Sequence, residues 1–224
     1  MILCFAVRLY EIRGYNSRPT VTAGTCEKIR RKVRKYELLR ERSMMKVTVG
    51  TCRLELLQGD ITQQKADVIV NAANSALAVG GGVDGAIHHS GGPAILADLQ
   101  EKYPDGCPTG SAVVSVAGEL SARYVFHAVG PLWRGGRSQE PALLASACRS
   151  CLKLAMELKC HSIVFPAIST GIYGYPLDLA ANNALKTTID FLKWHKAPEL
   201  VRFVLFSSGA FGAWARSLEE LVPR

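Results

Sequence analysis

The sequence predicts an α/β protein, with helices packed around a largely parallel sheet. Segments with the pattern of strands alternate with segments with the pattern of helices along most of the chain. This alternation is typical of parallel sheets whose strands are joined through helices. Polar, glycine-rich loops follow the buried strands predicted at residues 68–70 and 162–165. Because ligands bind such sheets at the carboxyl ends of strands, the fold class predicts a ligand site there.

Each element follows from the spacing of apolar residues. Short apolar or alternating runs rich in β-branched and aromatic residues indicate strands, and apolar residues three and four apart indicate helices. The predicted strands are a pair within 47–57, then 67–70, 112–116, 124–129, 162–165 and 201–206. The predicted helices are 84–99, 140–158, 177–194 and 211–221.

The positive charge is concentrated at the amino terminus. The chain has 224 residues and a formal net charge of +8, but residues 1–43 hold eleven Lys and Arg against four Asp and Glu. The sequence thus predicts a basic extension over 1–43 and a nearly neutral globular domain over 44–224. The extension is either a solvated segment or an arm that touches nucleic acid or an anionic surface. The charge of the domain gives no reason to assign it to nucleic acid.

The cysteines and apolar runs predict an intracellular protein. Seven cysteines, an odd number, are scattered along the chain. The Cys148-x-x-Cys151 pair lies in a helical pattern without a second pair, so we expect reduced thiols rather than a metal site. No apolar run reaches the roughly 18–20 residues that span a bilayer, and residues 1–7 lack the features of a signal peptide. We therefore expect a cytoplasmic protein without membrane contact.

The first polar loop combines groups that suit an anionic ligand. Asn71 and Asn74 follow the buried strand, and a triple glycine at 80–82 follows them. Glycine lets backbone N–H groups turn toward an anion and approach it closely. Asp84 and His88 come directly after, at the i and i+4 spacing that places both on one face of a helix.

A second loop and an early acidic residue extend the pattern. Residues 166–176 follow a buried strand and precede a helix, whose amino terminus attracts anions. Two such loops at one edge of the sheet would hold a diphosphate from both sides. Asp60 ends an early strand, where its carboxylate either accepts a hydrogen bond from an exocyclic amine such as that of adenine or caps a turn.

Six motifs in this order resemble those of macro domains of the MacroD type. They are residues 59–62 (GDIT), 71–74 (NAAN), 80–88 with the triple glycine, 107–110 (CPTG), 127–131 (HAVGP) and the loop 169–176. The resemblance covers about residues 46–222. It implies a three-layer α/β/α sandwich with a mixed, mostly parallel central sheet and a cleft for ADP-ribose.

The resemblance also implies roles for individual residues. Catalytic roles fall to Asn74, Asp84 and His88, with Asn74 also bound to the proximal ribose. Asp60, beside the backbone of Ile61, would bind the adenine amine, and Phe206 would stack on the adenine ring. The diphosphate and riboses would be enclosed by the two loops, that is by Gly81, Gly82, Val83, Ser169, Thr170, Gly171, Ile172 and Tyr173.

Several alternatives stay open at this stage. Asn71 either braces the backbone of its loop or touches the ligand, and His88 either takes part directly or only orients Asp84. His127, in a buried strand, reads as a core histidine. The intact Asn74, Asp84 and His88 set favours a hydrolase of ADP-ribosyl esters that uses no metal or cofactor. The alternatives are a module that only binds ADP-ribose on proteins or nucleic acids, and a phosphatase of ADP-ribose 1″-phosphate.

Overall fold

The computed structural model describes residues 44–222, so the predicted extension over 1–43 lies outside the described part. The strands are β1 (Met44–Val49), β2 (Cys52–Gln58), β3 (Val68–Ala73), β4 (Ala112–Val116), β5 (Tyr124–Val129), β6 (Ser162–Phe165) and β7 (Leu200–Leu205). The helices are α1 (Gly82–Gly91), α2 (Pro93–Lys102), α3 (Glu140–Glu157), α4 (Leu177–His195) and α5 (Ser208–Leu221), with a 3-10 turn at Ile61–Gln63. None of the helices in this range combines the length and apolar character needed to cross a bilayer.

The described strands form one mixed sheet in the order β1-β2-β7-β6-β3-β5-β4. The five inner strands run parallel to one another, and β1 and β4 lie antiparallel at the two edges. The predicted mixed, mostly parallel sheet is confirmed. Since the inner strands are parallel, their carboxyl ends meet at one edge, where the loops after β3, β5, β6 and β7 come together.

Helices cover both faces of the sheet, which gives three layers. Along β3, Val68 and Val70 pack into the core shared with α3, α4 and α5, whereas Ile69 packs into the core shared with α1 and α2. The alternation follows from the two-residue period of a strand. It continues to Asn71, which therefore points toward the α1 side of the sheet.

The prediction of a single helix over residues 84–99 is wrong. Helix α1 ends at Gly91, and α2 begins at Pro93. A proline inside a helix removes one backbone donor and clashes with the preceding turn. Gly92 resolves the conflict with a φ of 76°, and its N–H donates to the carbonyl of His88 at 3.0 Å. The chain changes direction here, so α1 is a short helix whose first turn carries Asp84.

The loop after β4 fixes the end of α1 by close backbone contact. Gly118 has a φ of +56°, and a Cβ added there would lie 1.8 Å from the carbonyl oxygen of Gly91. Gly50, in the β1–β2 turn, has a similar φ of +61° but open space around it. A comparison of alanine substitutions at these two glycines therefore distinguishes the effect of backbone strain from the effect of a steric clash.

We predict that Gly118→Ala lowers the free energy of unfolding by more than about 4 kcal/mol, because the new methyl group displaces α1. Gly50→Ala, the matched control, loses only about 1–2 kcal/mol of left-handed strain. Urea denaturation of the two variants measures the difference. Equal losses would mean that the contact between Gly118 and Gly91 does not hold α1 in place.

Candidate active site

A cleft opens at the carboxyl edge of the sheet, between the loop after β3 and the loop after β6. Its walls come from the end of β3, the glycine loop, the first turn of α1, the start of the loop after β5 and the loop after β6. The lining residues are Ala72, Ala73, Asn74, Gly80, Gly81, Gly82, Val83, Asp84, Gly130, Ala167, Ile168, Ser169, Gly171, Ile172 and Tyr173. The two predicted loops thus face one cleft.

Asp84 is buried at the base of this cleft. Its Oδ2 accepts a hydrogen bond from the backbone N–H of Gly80 at 2.5 Å, and its Oδ1 accepts one from Nδ2 of Asn71 at 2.5 Å. Nε2 of His88, one turn along α1, lies 3.7 Å from Oδ1, which is beyond hydrogen-bond distance. The orientation of the carboxylate is therefore set by Asn71 and Gly80, and His88 packs beside it.

Asn71 has neither of the roles considered from sequence. It does not line the cleft and does not brace its loop backbone. Instead its Nδ2 lies between Asp84 and Nδ1 of His127, 3.1 Å away, while its Oδ1 finds no partner among the described residues. Nε2 of His127 in turn lies 2.8 Å from Oγ of Ser115. A buried chain of polar side chains thus runs from β4 through β5 and β3 to the cleft.

Asn74 shapes the beginning of the glycine loop. Its Nδ2 donates to the carbonyl of Ala78 at 2.6 Å, and its Oδ1 accepts from the N–H of Ala78 at 3.2 Å. This two-point bond closes the turn that leads to Gly80. Asn74 lines the cleft as predicted, and its contact with a ribose stays a prediction.

The loop after β6 carries an unusual serine. Ser169 has a φ of 66°, a left-handed conformation that non-glycine residues seldom adopt. Its hydroxyl is buried in the cleft wall and has no partner among the residues described. Across the cleft, a Cβ at Gly81 would lie 3.4 Å from Cδ1 of Ile172, whose side chain is 80% exposed. The two loops therefore nearly meet above the cleft.

The predicted adenine-binding residues lie outside the cleft lining. The carboxylate of Asp60 accepts hydrogen bonds from N–H and Oγ1 of Thr62 at 2.9 and 2.8 Å, so it caps the 3-10 turn, in which Ile61 is buried. Phe206 directly follows β7 and is 84% exposed. Because Gln58 and Leu205 are in register, Asp60 and Phe206 extend from neighbouring strands at the same edge. Thr170, in the second loop, is also outside the lining, and its Oγ1 donates to the carbonyl of Ala167 at 2.9 Å.

Sequence reasoning missed the polar residues beneath the cleft. It treated His127 as an isolated core histidine, although Asn71 and His127 are direct partners in the β3–β5 register. Two polar residues on the same face of adjacent buried strands are the signal that would have found them. Cys148 and Cys151 are buried away from the cleft, and burial raises the pKa of Cys148 to about 12.

Comparisons with known proteins agree on one family. A family model described as the macro domain matches residues 70–184. A macro domain-containing protein of Caldanaerobacter subterraneus is 51% identical over 75% of this chain and 97% of its own length. The O-acetyl-ADP-ribose deacetylase of Salmonella typhimurium is 51% identical over 76% of this chain and 96% of its own length.

Solved structures of the same family superpose on the chain. The Oceanobacillus iheyensis macrodomain with ADP is 40% identical, with a TM-score of 0.75, over 80% of this chain and 96% of its own. The Trypanosoma brucei macrodomain in complex with ADP-ribose is 38% identical, with a TM-score of 0.68, over 74% of this chain and 68% of its own.

Burial, assisted by the charge of nearby His88, lowers the pKa of His127 from 6.5 to about 3, although the charge of Asp98 opposes the shift. Between these values the unfolded chain binds a proton at His127 that the folded chain excludes, so stability falls as the pH drops below about 6.5. We predict a loss of about 2 kcal/mol between pH 7 and pH 5 from this residue alone.

Urea denaturation of wild type and His127→Gln at the two pH values isolates this contribution, because glutamine does not titrate. The variant starts from a lower stability but loses about 2 kcal/mol less than wild type on acidification. Carboxyl groups affect both proteins alike. Parallel pH dependence in the two proteins would show that His127 is not kept neutral by the fold.

Proposed function

The chain belongs to the macro domain family, and we propose that it binds ADP-ribose in the cleft and hydrolyses ADP-ribosyl esters. The reactions are deacetylation of O-acetyl-ADP-ribose, removal of mono-ADP-ribose from acidic side chains, or both. Relatives named O-acetyl-ADP-ribose deacetylase, about 51% identical and matched over 96% of their length, support this activity. The ligand-bound Oceanobacillus and Trypanosoma structures support ADP-ribose as the bound group. A cytoplasmic location and nucleic-acid contact through residues 1–43 stay predictions.

The geometry of the glycine loop suits a diphosphate. Gly81 and Gly82 begin α1, whose first N–H groups have no partner within the helix and carry the positive end of its dipole. Gly82 has a φ of +63°, which lets the backbone curve around a bound anion. The loop at Ser169–Tyr173 faces it from the other side. A diphosphate held between them would extend the ribose toward Asp84 and the adenine toward Asp60 and Phe206.

The buried carboxylate of Asp84 is the observation that carries the catalytic part of the proposal. Burying a carboxylate is unfavourable, and two N–H donors compensate it only in part. A core would not retain such a group for stability. A carboxylate has about four acceptor sites, so Asp84 still has capacity to hold a water molecule at the cleft.

In the proposed deacetylation, this water attacks the ester carbonyl carbon. Asp84 orients the water and takes its proton as the new C–O bond forms. When the acyl C–O bond breaks, that proton passes to the ribose oxygen, which leaves as a hydroxyl. The products are acetate and ADP-ribose, or a free carboxyl side chain and ADP-ribose for a modified protein. General-base assistance of this kind contributes roughly 10²–10⁴-fold.

We predict that Asp84→Asn lowers kcat by at least about 100-fold, because the amide cannot take the proton. Its side-chain oxygen still accepts the bond from Gly80, so we expect the Kd for ADP-ribose to change less than about threefold, although its amide nitrogen then faces the Nδ2 donor of Asn71. Asp190→Asn, an exposed change in α4 away from the cleft, is the matched control. Product release from O-acetyl-ADP-ribose and from a mono-ADP-ribosylated protein measures kcat, and calorimetry measures Kd.

Two results would contradict the proposal in different ways. Wild-type turnover by Asp84→Asn would remove Asp84 from the mechanism. Tight ADP-ribose binding by the wild type without turnover of either ester would identify a module that only binds.

Adenine selectivity is predicted to depend on Asp60 and Phe206. Asp60→Ala weakens ADP-ribose binding by roughly 1–3 kcal/mol, the range for a hydrogen bond to a charged group. Phe206→Ala loses a similar roughly 1–3 kcal/mol of base stacking. Calorimetry with ADP-ribose and its inosine analogue separates the two, because only Asp60 would read the exocyclic amine. Equal binding of both ligands by the wild type would confine Asp60 to capping its turn.

A further inference from the structure

The buried polar side chains behind the cleft have a fixed hydrogen-bond direction. Oγ of Ser115 lies 2.9 Å from the carbonyl of Val116 and 2.8 Å from Nε2 of His127, and its one hydrogen can go to only one of them. The direction is fixed at the other end of the series, at Asp84. A carboxylate can only accept, so the Asn71 amide must present its Nδ2, 2.5 Å from Oδ1 of Asp84, as the donor.

The remaining directions follow from this bond. An amide nitrogen cannot accept, so Nδ1 of His127, 3.1 Å from Nδ2 of Asn71, accepts its second hydrogen. A neutral imidazole with a bare Nδ1 carries its proton on Nε2, which donates to Oγ of Ser115, and the serine hydrogen then goes to the carbonyl of Val116. If the amide of Asn71 were flipped, its oxygen would face two acceptors, so His127 holds the amide in the donating orientation.

This arrangement is unfavourable for stability taken alone. Ser115, Asn71 and His127 are all buried, and Oδ1 of Asn71 has no partner among residues 44–222. An unmatched buried polar atom destabilises a core, and apolar side chains would fill the same space more favourably. Local rules broken in this way are typical of functional sites.

Protonation of His127 does not reverse the direction of these hydrogen bonds near neutral pH. The pKa of His127 lies at about 3 because of burial and the charge of His88, whose ring centre is 5.9 Å away, with the charge of Asp98 acting in the opposite sense. His88 is also the ionisable side chain beside Asp84 on α1, 3.7 Å from its Oδ1.

We propose that Ser115, His127 and Asn71 are positioning residues for the hydrolysis of ADP-ribosyl esters, and that they deliver one directed N–H to Asp84. This inference rests on the proposed function. These hydrogen-bonded side chains fix Oδ1 of Asp84. Its remaining acceptor sites then point into the cleft, where the attacking water lies. None of the three residues lines the cleft itself, so their removal is expected to change kcat and to leave ligand affinity nearly unaltered.

The first test measures the tautomer of His127 by ¹⁵N NMR of the full chain, without any substrate. We expect Nε2 protonated and Nδ1 bare from pH 5 to pH 8. A proton on Nδ1, or a doubly protonated ring at pH 6, would overturn the inference. This readout does not depend on turnover, so it stands even if the wild type hydrolyses no ADP-ribosyl ester.

The second test compares variants in kcat and in Kd for ADP-ribose. Asn71→Leu, which keeps the size and loses the donor, is expected to lower kcat by about 100-fold while Kd changes less than about threefold. Thr188→Val is the control, because it removes another buried hydroxyl, one in α4 without a partner among the described residues, and is expected to leave kcat unchanged.

A pair at His127 keeps the test decisive if Asn71→Leu fails to fold. His127→Asn places an oxygen near the former Nδ1 that can accept from Asn71, whereas His127→Gln places its polar group near the former Nε2. We expect His127→Gln to lose about 10-fold or more in kcat and His127→Asn to recover most of it. Equal losses in the two variants, or a Kd that rises in step with the fall in kcat, would reduce the three residues to a structural role.

Discussion

The cleft depends on one constraint, which is that a carboxylate is buried where two backbone loops converge. Asp84 is compensated by an amide N–H from the glycine loop and by the side chain of Asn71 on β3. The first bond pins Gly80, and the packing around it leaves little freedom, since a Cβ at Gly85 would lie 2.8 Å from the carbonyl of Gly80. A buried carboxylate thus determines the path of the loop that forms one wall of the cleft.

The order and direction of the strands place the residues of the cleft at one edge of the sheet. Five parallel strands end at one edge, and three of the following loops each add one component: a glycine-rich wall of the cleft after β3, the facing wall after β6 and an exposed aromatic ring after β7. The antiparallel edge strand β4 adds Ser115 beneath the cleft, because Ser115 lies on the same face of the sheet as His127. The site therefore has a floor of strand residues and walls of loop residues.

Local pattern was sufficient to locate most of the fold. The strands at 112–116, 124–129 and 162–165 agree with prediction because short β-branched runs bounded by turn residues have few alternative structures. The helix break at Gly92 was missed because apolar spacing continues across Pro93, although a glycine pair followed by proline is itself a local signal that a helix ends. Asp60 likewise satisfies the turn-capping role that sequence left open, since its carboxylate reaches Thr62.

The sequence by itself determined the fold class, the two loops that face the cleft and the presence of Asp84 next to the triple glycine, because these features depend on patterns along the chain. Tertiary structure decided what Asp84 is bonded to. Asn71, Ser115 and His127 lie on three strands, and their contact arises from strand order and register, which no local pattern contains. For the same reason the sequence left Asn71 between bracing its loop and touching the ligand, although its partners lie on α1 and β5. Hydrogen-bond direction is the property of these residues that only the assembled sheet defines.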